Sequence, residues 1–296
     1  MKKAYLIMGH KSPKQIYRLL DRLNDELSHF FIHIDRKVDI TPFKTLEDFG
    51  DKVTFLERYN SEWGKYGLTL PLLEGLKSIK MTGQHFDRIL LLSGQDYPIK
   101  SKKQINEFFE NSPYSVFINF FPIPNMNKWP GKDRGGLYRV DKYYFGTKWY
   151  ELFLSKSLNL VSRYIPLLRR RVPDQMLPYA GETWINLDMY ALNYIVDYVE
   201  QHPEYLRFHR HTFVADEVFI HMLIGNSTDQ KLLDSIEKSE KRFTIWESPK
   251  SAHPKVLQKS DFEHITSSED LFARKFDLDK DEEVLDLIDR EILFRD

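Results

Sequence analysis

Several short stretches of this chain combine residue types that could do chemistry. Ser93-Gly94-Gln95-Asp96-Tyr97-Pro98 follows an all-leucine run. Its Ser-Gly permits a sharp turn with close approach to a ligand, and Asp96 would sit just beyond it. His33-Ile34-Asp35-Arg36-Lys37 offers an acid that can accept hydrogen bonds from a ribose or base, next to two cations suited to an anion. In Phe272-Ala273-Arg274-Lys275-Phe276, two bases lie between apolar residues, so one at least should point inward. A partly buried cation needs an anion, either a phosphate or an internal carboxylate. Asp216-Glu217 precedes the apolar pattern Val218, Phe219, Met222, Leu223. Two acids there could simply complement a helix dipole, or Glu217 could be a general base if its neighbours desolvate it. His209-Arg210-His211, with Asp216, Glu217 and His221 downstream, is the tightest histidine cluster. Imidazole and carboxylate suit zinc or iron, although an arginine between the histidines opposes a bound cation.

The elements that must position these residues follow from hydrophobic periodicity. Ala4–Met8, Phe30–Ile34, Val53–Leu56 and Arg88–Leu92 are short apolar runs, the pattern of buried strands. Ser12-Pro13 opens a helix with Ile16, Leu19, Leu20, Leu23 and Leu27 on one face, Ser12 serving as N-cap. A second helix carries Leu68, Leu72, Leu73, Leu76 and Ile79. Strand–helix repetition with continuously apolar strands predicts a mostly parallel α/β sheet flanked by helices, with ligands at the strands' carboxyl ends. The informative loops are then 9–13, 34–37, 57–66 and 93–98. Further on, the spacing predicts a strand at Trp184–Leu187 followed by a helix to about Tyr198, and a helix from Asp216 to Ile224. A strand from Arg242 to Trp246 and a terminal helix over 281–293 complete the reading.

Composition removes whole classes of function. The 296 residues include 42% hydrophobic and 14% aromatic side chains, enough for a packed core, and the formal net charge is −1, giving no global pull towards nucleic acid. No cysteine is present, which excludes disulfides, thiolate zinc sites, iron–sulfur clusters and cysteine nucleophiles, and favours a reducing compartment. The amino-terminal residues lack the long apolar core of a secretory signal, and no run approaches the ~20 apolar residues of a membrane span, so the expectation is a cytoplasmic protein. There is no GxGxxG after the first strand, no GxxxxGK[ST] and no GxSxG. Charge is nevertheless segregated. Residues 128–171 hold eleven Lys/Arg against three Asp/Glu, and 277–296 hold nine acids against three bases. Tyr164-Ile165-Pro166-Leu167-Leu168-Arg169-Arg170-Arg171 mixes apolar and basic residues as a peripheral contact with the inner face of a membrane would, or as an ordinary basic loop would.

Taken in order, the motifs carry a resemblance. Gly9-His10-Lys11 follows the first strand, then come His33–Lys37, Trp63-Gly64, and Leu91–Lys100 with its Ser-Gly-Gln-Asp turn. Gly181–Leu187, Asp216–Phe219 with Asn226-Ser227, and Leu271–Phe276 complete the series. Each piece is short, but seven in order over nearly the whole length are specific. The chain resembles the Core-2/I-branching glycosyltransferases, family 14, with the related peptide O-xylosyltransferases, and within them the compact bacterial branch.

The resemblance implies a GT-A type, Rossmann-like fold, here a single domain over 1–296 with a nucleotide-binding half (1–112) and an acceptor and catalytic half (113–296). It implies a UDP-sugar donor as substrate, transfer with inversion, and no cofactor or divalent metal, basic side chains neutralising the diphosphate instead. Glu217 then matches the catalytic base, and Lys275 a residue holding the diphosphate. Lys255, ahead of Asp261, matches that lysine's basic partner across a gap, and Arg274 could assist. Asp35 and Asp96, with Gly9, His10 and Gln95, match the donor pocket, while Trp184 and Asp216 fall near the acceptor. Most GT-A enzymes hold a metal with Asp-x-Asp. Here the turn after the fourth strand has Asp96 alone, and Asp277-Leu278-Asp279 lies in the acidic tail. Two or three cations could replace the metal electrostatically. The expected acceptor is a glycan or lipid-linked glycan of a surface polysaccharide or glycoconjugate, and its contact surface is expected around Lys128–Lys148. N-acetylglucosamine is the leading donor sugar, with xylose or another hexose as runner-up. Two other classes stay open: a catalytically silent nucleotide-sugar or glycan-binding protein, and a metal-dependent hydrolase built on His209, His211 and Asp216.

Overall fold

The computed structural model describes residues 1–62, 66–173, 176–248, 251 and 253–294. The Trp63-Gly64 pair lies outside them. In chain order the strands are β1 (Lys3–Gly9), β2 (Ser28–Ile34), β3 (Val53–Phe55), β4 (Arg88–Ser93), β5 (Asp96–Pro98), β6 (Val116–Pro122), β7 (Tyr179–Leu187), β8 (Ile236–Glu237), β9 (Arg242–Phe243) and β10 (Phe272–Arg274). The helices are α1 (Pro13–Leu23), α2 (Thr69–Met81), α3 (Lys102–Asn111), α4 (Tyr138–Asp141), α5 (Trp149–Tyr164), α6 (Met189–Gln201), α7 (Pro203–His209), α8 (Phe219–Gly225), α9 (Gln230–Asp234), α10 (Phe262–Ser267) and α11 (Glu283–Ile288).

A seven-stranded sheet runs in the order β3-β2-β1-β4-β7-β6-β8. Its first four strands are parallel, β7 is antiparallel to both β4 and β6, and β8 is parallel to β6. This is an α/β fold, its sheet mostly parallel and flanked by helices. Parallel strands covered on both faces must be apolar throughout, and Leu6 and Ile7 of β1 point to opposite layers that are each fully buried. One layer is closed by α2, α6 and α8, and the other by α1, α3 and α11, whose Ile16, Leu19 and Leu285 are inaccessible. Truncating Leu19 to alanine there should cost about 2–5 kcal/mol.

A second, three-stranded sheet, β5-β10-β9, lies beyond the carboxyl end of β4, with β10 antiparallel to β5 and parallel to β9. Several expected boundaries shift. Ser12 does precede α1, but at a φ of 51° and without a side-chain cap, so the proline at the first turn is the start signal. β7 is nine residues long, starting at Tyr179. A Cβ at Gly181 would sit 1.9 Å from the Asn119 carbonyl oxygen, so only glycine lets β7 cross the irregular Ile118/Phe120 step of β6. The strand expected over 242–246 is only β9, and the terminal helix divides into α11 and a π-helical turn at Asp289–Leu293.

Candidate active site

The loops after β1, β2 and β4 close on one another. The Asp35 N–H donates to the Gly9 carbonyl (2.8 Å) and the Gly94 N–H to the Met8 carbonyl (2.9 Å). A Cβ at Gly9 would lie 2.7 Å from the Ile34 Cδ1, so the crossing is tightly packed by side-chain ends. Beyond these loops is a cavity of about 390 Å³ bordered also by β7, the Asp216-Glu217 segment and the small sheet. It lies at the carboxyl ends of the parallel strands, where open α/β sheets bind ligands.

The small sheet builds a basic wall. The register of β10 places Arg274 opposite Asp96 of β5, while its Phe272 pairs with Arg242 of β9. Asp96 is fully buried, accepting from the Ser93 N–H (2.8 Å) and Oγ (3.0 Å). It also binds Arg242 Nη1 at 2.7 Å and lies 3.3 Å from Arg274 Nε. Arg242 is further held by the Leu91 carbonyl (3.1 Å). Both guanidiniums lie over Trp184, their Cζ atoms 4.1 Å (Arg274) and 5.1 Å (Arg242) from the ring centroid. Burial depresses the pKa of Arg274, its neighbour Arg242 adding to the shift and Asp96 opposing it. Burial likewise lowers that of Lys275, with Arg274 and Lys11 adding to it. The Lys275 ammonium and the terminal nitrogens of Arg274 have no carboxylate partner among the described residues. Two desolvated cations that repel each other are thus left facing the cavity, the electrostatic condition for binding an anion. His10 and His253 border the same wall, and burial lowers both pKa values, Lys275 contributing in each case.

An acidic wall faces the same cavity, formed by Glu182, Asp216, Glu217 and Glu240. Asp216 and Glu217 form a separate 3₁₀ turn, Ala215–Glu217, preceded by Val214 at a φ of 51° and followed by non-helical Val218. The α-helix expected from Asp216 therefore starts at Phe219, and dipole complementation does not explain the acid pair. Asp216 accepts from Thr183 Oγ1 (2.8 Å), and burial raises its pKa against that bond. Glu217 Oε2 is 2.8 Å from Arg139 Nη1. Burial pushes the Glu217 carboxyl up to about 7; Arg139 opposes the shift, and Asp216 and Glu182 add to it. Glu240 is raised to about 7 for the same primary reason, with Glu182 next.

Gly9, His10, Asp35, Gln95, Trp184, Asp216, Glu217, Arg274 and Lys275 all border the cavity. Two expected donor residues do not. Lys255 is outside the lining, its ammonium bound to Asp261 at 2.7 Å, so its charge is already neutralised. Asp96 is buried beneath the wall and can act only through the arginines it holds. Trp184 carries the two guanidiniums and also borders the cavity. Arg242, Arg139, Glu182, Glu240 and His253 were not expected at the site. The strand expected over 242–246 was the sequence's one signal for the first of these. The hydrolase arrangement does not form. His209 is buried among Tyr205, Phe208 and Phe219, and His211 packs on Tyr143 and Phe145, neither bordering the cavity. Among the described residues no three His, Asp or Glu side chains form a group that could hold a metal ion.

The site is a two-walled cleft at the carboxyl edge of a mostly parallel α/β sheet, and the comparisons define the family. The Branch model, Core-2/I-Branching enzyme, matches residues 3–271, and the chain belongs to that family. It is 24% identical over 306 residues to beta-glucuronosyltransferase GlcAT14B of Arabidopsis thaliana, covering 99% of this chain and 66% of the plant protein. To beta-glucuronosyltransferase GlcAT14A of the same plant it is 22% identical, covering 99% and 64%. To xylosyltransferase 2 of Rattus norvegicus it is 24% identical, covering 97% and 33%. The chain thus spans just under two thirds of the plant relatives and a third of the animal one.

Proposed function

We propose that this protein is an inverting glycosyltransferase that moves a sugar from a UDP-sugar to a hydroxyl of a glycan or lipid-linked glycan, without a divalent metal, at the inner face of a membrane in surface polysaccharide or glycoconjugate synthesis. One observation carries this reading. A carboxyl raised to about 7, the Lys275 ammonium and an Arg274 guanidinium that shares the single charge of Asp96 with Arg242 line one cavity. A base poised near neutral pH is suited to deprotonate an alcohol as it attacks. In a single displacement the acceptor oxygen attacks the anomeric carbon and its proton passes to the Glu217 carboxylate. The bond to the β-phosphate oxygen breaks, and its electron pair leaves with UDP. Arg274 and Lys275 stabilise the diphosphate charge that grows as this bond breaks. Asp96 and Trp184 hold Arg274 in place, and Arg139 holds Glu217.

N-acetylglucosamine is the first donor sugar to test; the relatives are named as glucuronosyl- and xylosyltransferases, so glucuronate and xylose are tested beside it. A silent binding module would need the cations but not the poised base. Calorimetric titration of UDP in the presence of a chelator tests the donor site. Binding that persists without metal and weakens at least tenfold in Lys275→Ala supports the reading. A requirement for Mn²⁺ would remove the metal-free mechanism, and no binding in either condition would remove the donor assignment. Turnover with UDP-N-acetylglucosamine, UDP-xylose and UDP-glucuronate then ranks the donors.

A further inference from the structure

The helix α5 reverses the usual logic of a surface helix, in which the apolar face packs inward. Ser155 is its only buried residue. It accepts from the Phe145 N–H (3.0 Å), and nearby Asn159 Oδ1 accepts from the Tyr143 N–H (2.8 Å), so a polar face anchors the helix to the protein. The apolar residues point away. Trp149 (79% exposed), Phe153 (68%), Leu160 and Tyr164 (80%) are spaced four, seven and four residues apart, on one stripe. Leu154 and Val161 widen it, and Ile165 and Leu167 (89%) continue it past the helix end. Single exposed apolar residues need no explanation, but a contiguous set of this size does.

The charges beside the stripe select the occupant. Between 142 and 171 the chain has seven Lys/Arg and a single acid, Glu151. Lys156 and Arg163, one heptad apart, flank the stripe, and neither has an ion-pair partner among the described residues. With Lys142 they line a groove of about 420 Å³ between α5 and Tyr143, Tyr144 and Phe213. Of the three arginines at 169–171, Arg170 is not at the surface. It is buried with its guanidinium on the carbonyls of Arg139, Lys142 and Phe208, so the basic loop expected there is structural at that position. A second copy docking here would oppose like charges across its own symmetry axis. An anionic bilayer presents apolar depth bordered by negative headgroups, which matches both features. No helix among the described residues is long and apolar enough to cross a membrane.

We infer that α5 lies in the plane of an anionic membrane surface, its Trp149–Phe153–Leu160–Tyr164 stripe inserted among the acyl chains and Lys156 and Arg163 paired with headgroup phosphates. This names the surface through which the protein meets a bilayer and does not depend on the transferase reading. Sedimentation with vesicles of phosphatidylcholine alone, or containing a third phosphatidylglycerol, tests it in the whole chain. The expected result is binding to the anionic vesicles, weakened about tenfold or more in Trp149→Ser/Phe153→Ser and, separately, in Lys156→Glu/Arg163→Glu, the latter also losing its salt dependence. All four side chains are exposed, so unchanged circular dichroism and melting temperature confirm that the variants fold. Equal binding to neutral vesicles, or anionic binding untouched by either variant, overturns the inference. So does a concentration-dependent dimer, seen by light scattering, that the Ser/Ser variant dissociates in the absence of vesicle binding.

Discussion

Two effects oppose each other at Glu217, and burial outweighs the ion pair. Burial favours its neutral form, and the Arg139 guanidinium 2.8 Å away favours the carboxylate. The result is an acid that ionises near 7, so a step needing the carboxylate should show a kcat falling about tenfold per pH unit well below that point. Glu217→Gln keeps the shape and removes the base, so turnover should drop by about 10²–10⁴ while UDP binding is retained. A variant with wild-type turnover would take Glu217 out of the mechanism. Arg139→Met makes a separate prediction. With the attraction gone, the Glu217 pKa rises further, and the acidic limb of the pH–rate profile should move upward while UDP affinity holds. A limb that stays in place would mean that another group sets it. The acid pair was visible in the sequence, but Arg139 was not, because 78 positions separate it from Glu217 and only the packing of α4 against the 215–217 turn brings them together.

At the scale of elements, the three-stranded sheet is a device for orienting charge. Its strands are two or three residues long, too short for any periodic signal, and they exist because their ladder and buried ion pairs form together. The long apolar strands β1, β2 and β4 could be read from the sequence because burial on both faces demands unbroken hydrophobicity. Nothing local to Arg242 says that it will lie against Asp96, 146 residues away, so the sequence pattern does not single it out. Asp96→Asn tests the device. It leaves a fully buried Arg242 without its counter-charge and should cost about 3–5 kcal/mol in urea unfolding, the range for breaking a buried pair. It should also weaken UDP binding although Asp96 does not touch the cavity. Unchanged stability would mean that the arginines are held by other contacts, the Leu91 carbonyl and the Trp184 ring being the candidates.

For the whole molecule, the same buried groups make stability depend on pH in two opposing ways. Burial lowers the pKa of His33 and His221 to about 4, so in the native state they stay neutral where the unfolded chain would take up protons. Their contribution is complete above the ordinary histidine value and is lost as pH falls through about 4. Glu217 and Glu240 have the reverse sign. With folded values near 7 they hold protons that the unfolded chain has already released, so their presence lowers stability as pH rises from the ordinary glutamate range to about 7, and the deficit stays constant above it. Glu240→Gln isolates this second effect, since glutamine keeps the volume and never ionises. The variant should melt close to the wild type at pH 4.5 and clearly above it at pH 8, the gap opening between those values. A gap that is the same at both ends would place the Glu240 carboxylate in solvent rather than in the wall. The sign also bears on function. Acidic groups that cost stability at neutral pH stand opposite a basic wall in which Asp96 alone balances Arg242 and Arg274 and Lys275 has no carboxylate among the described residues, so a bound diphosphate should raise the melting temperature more than its contact area alone would suggest. Measuring that shift with UDP at pH 8 for wild type and Glu240→Gln separates the two walls. Equal shifts would show that they act independently, and a smaller shift in the variant would show that the acidic wall orders the basic one.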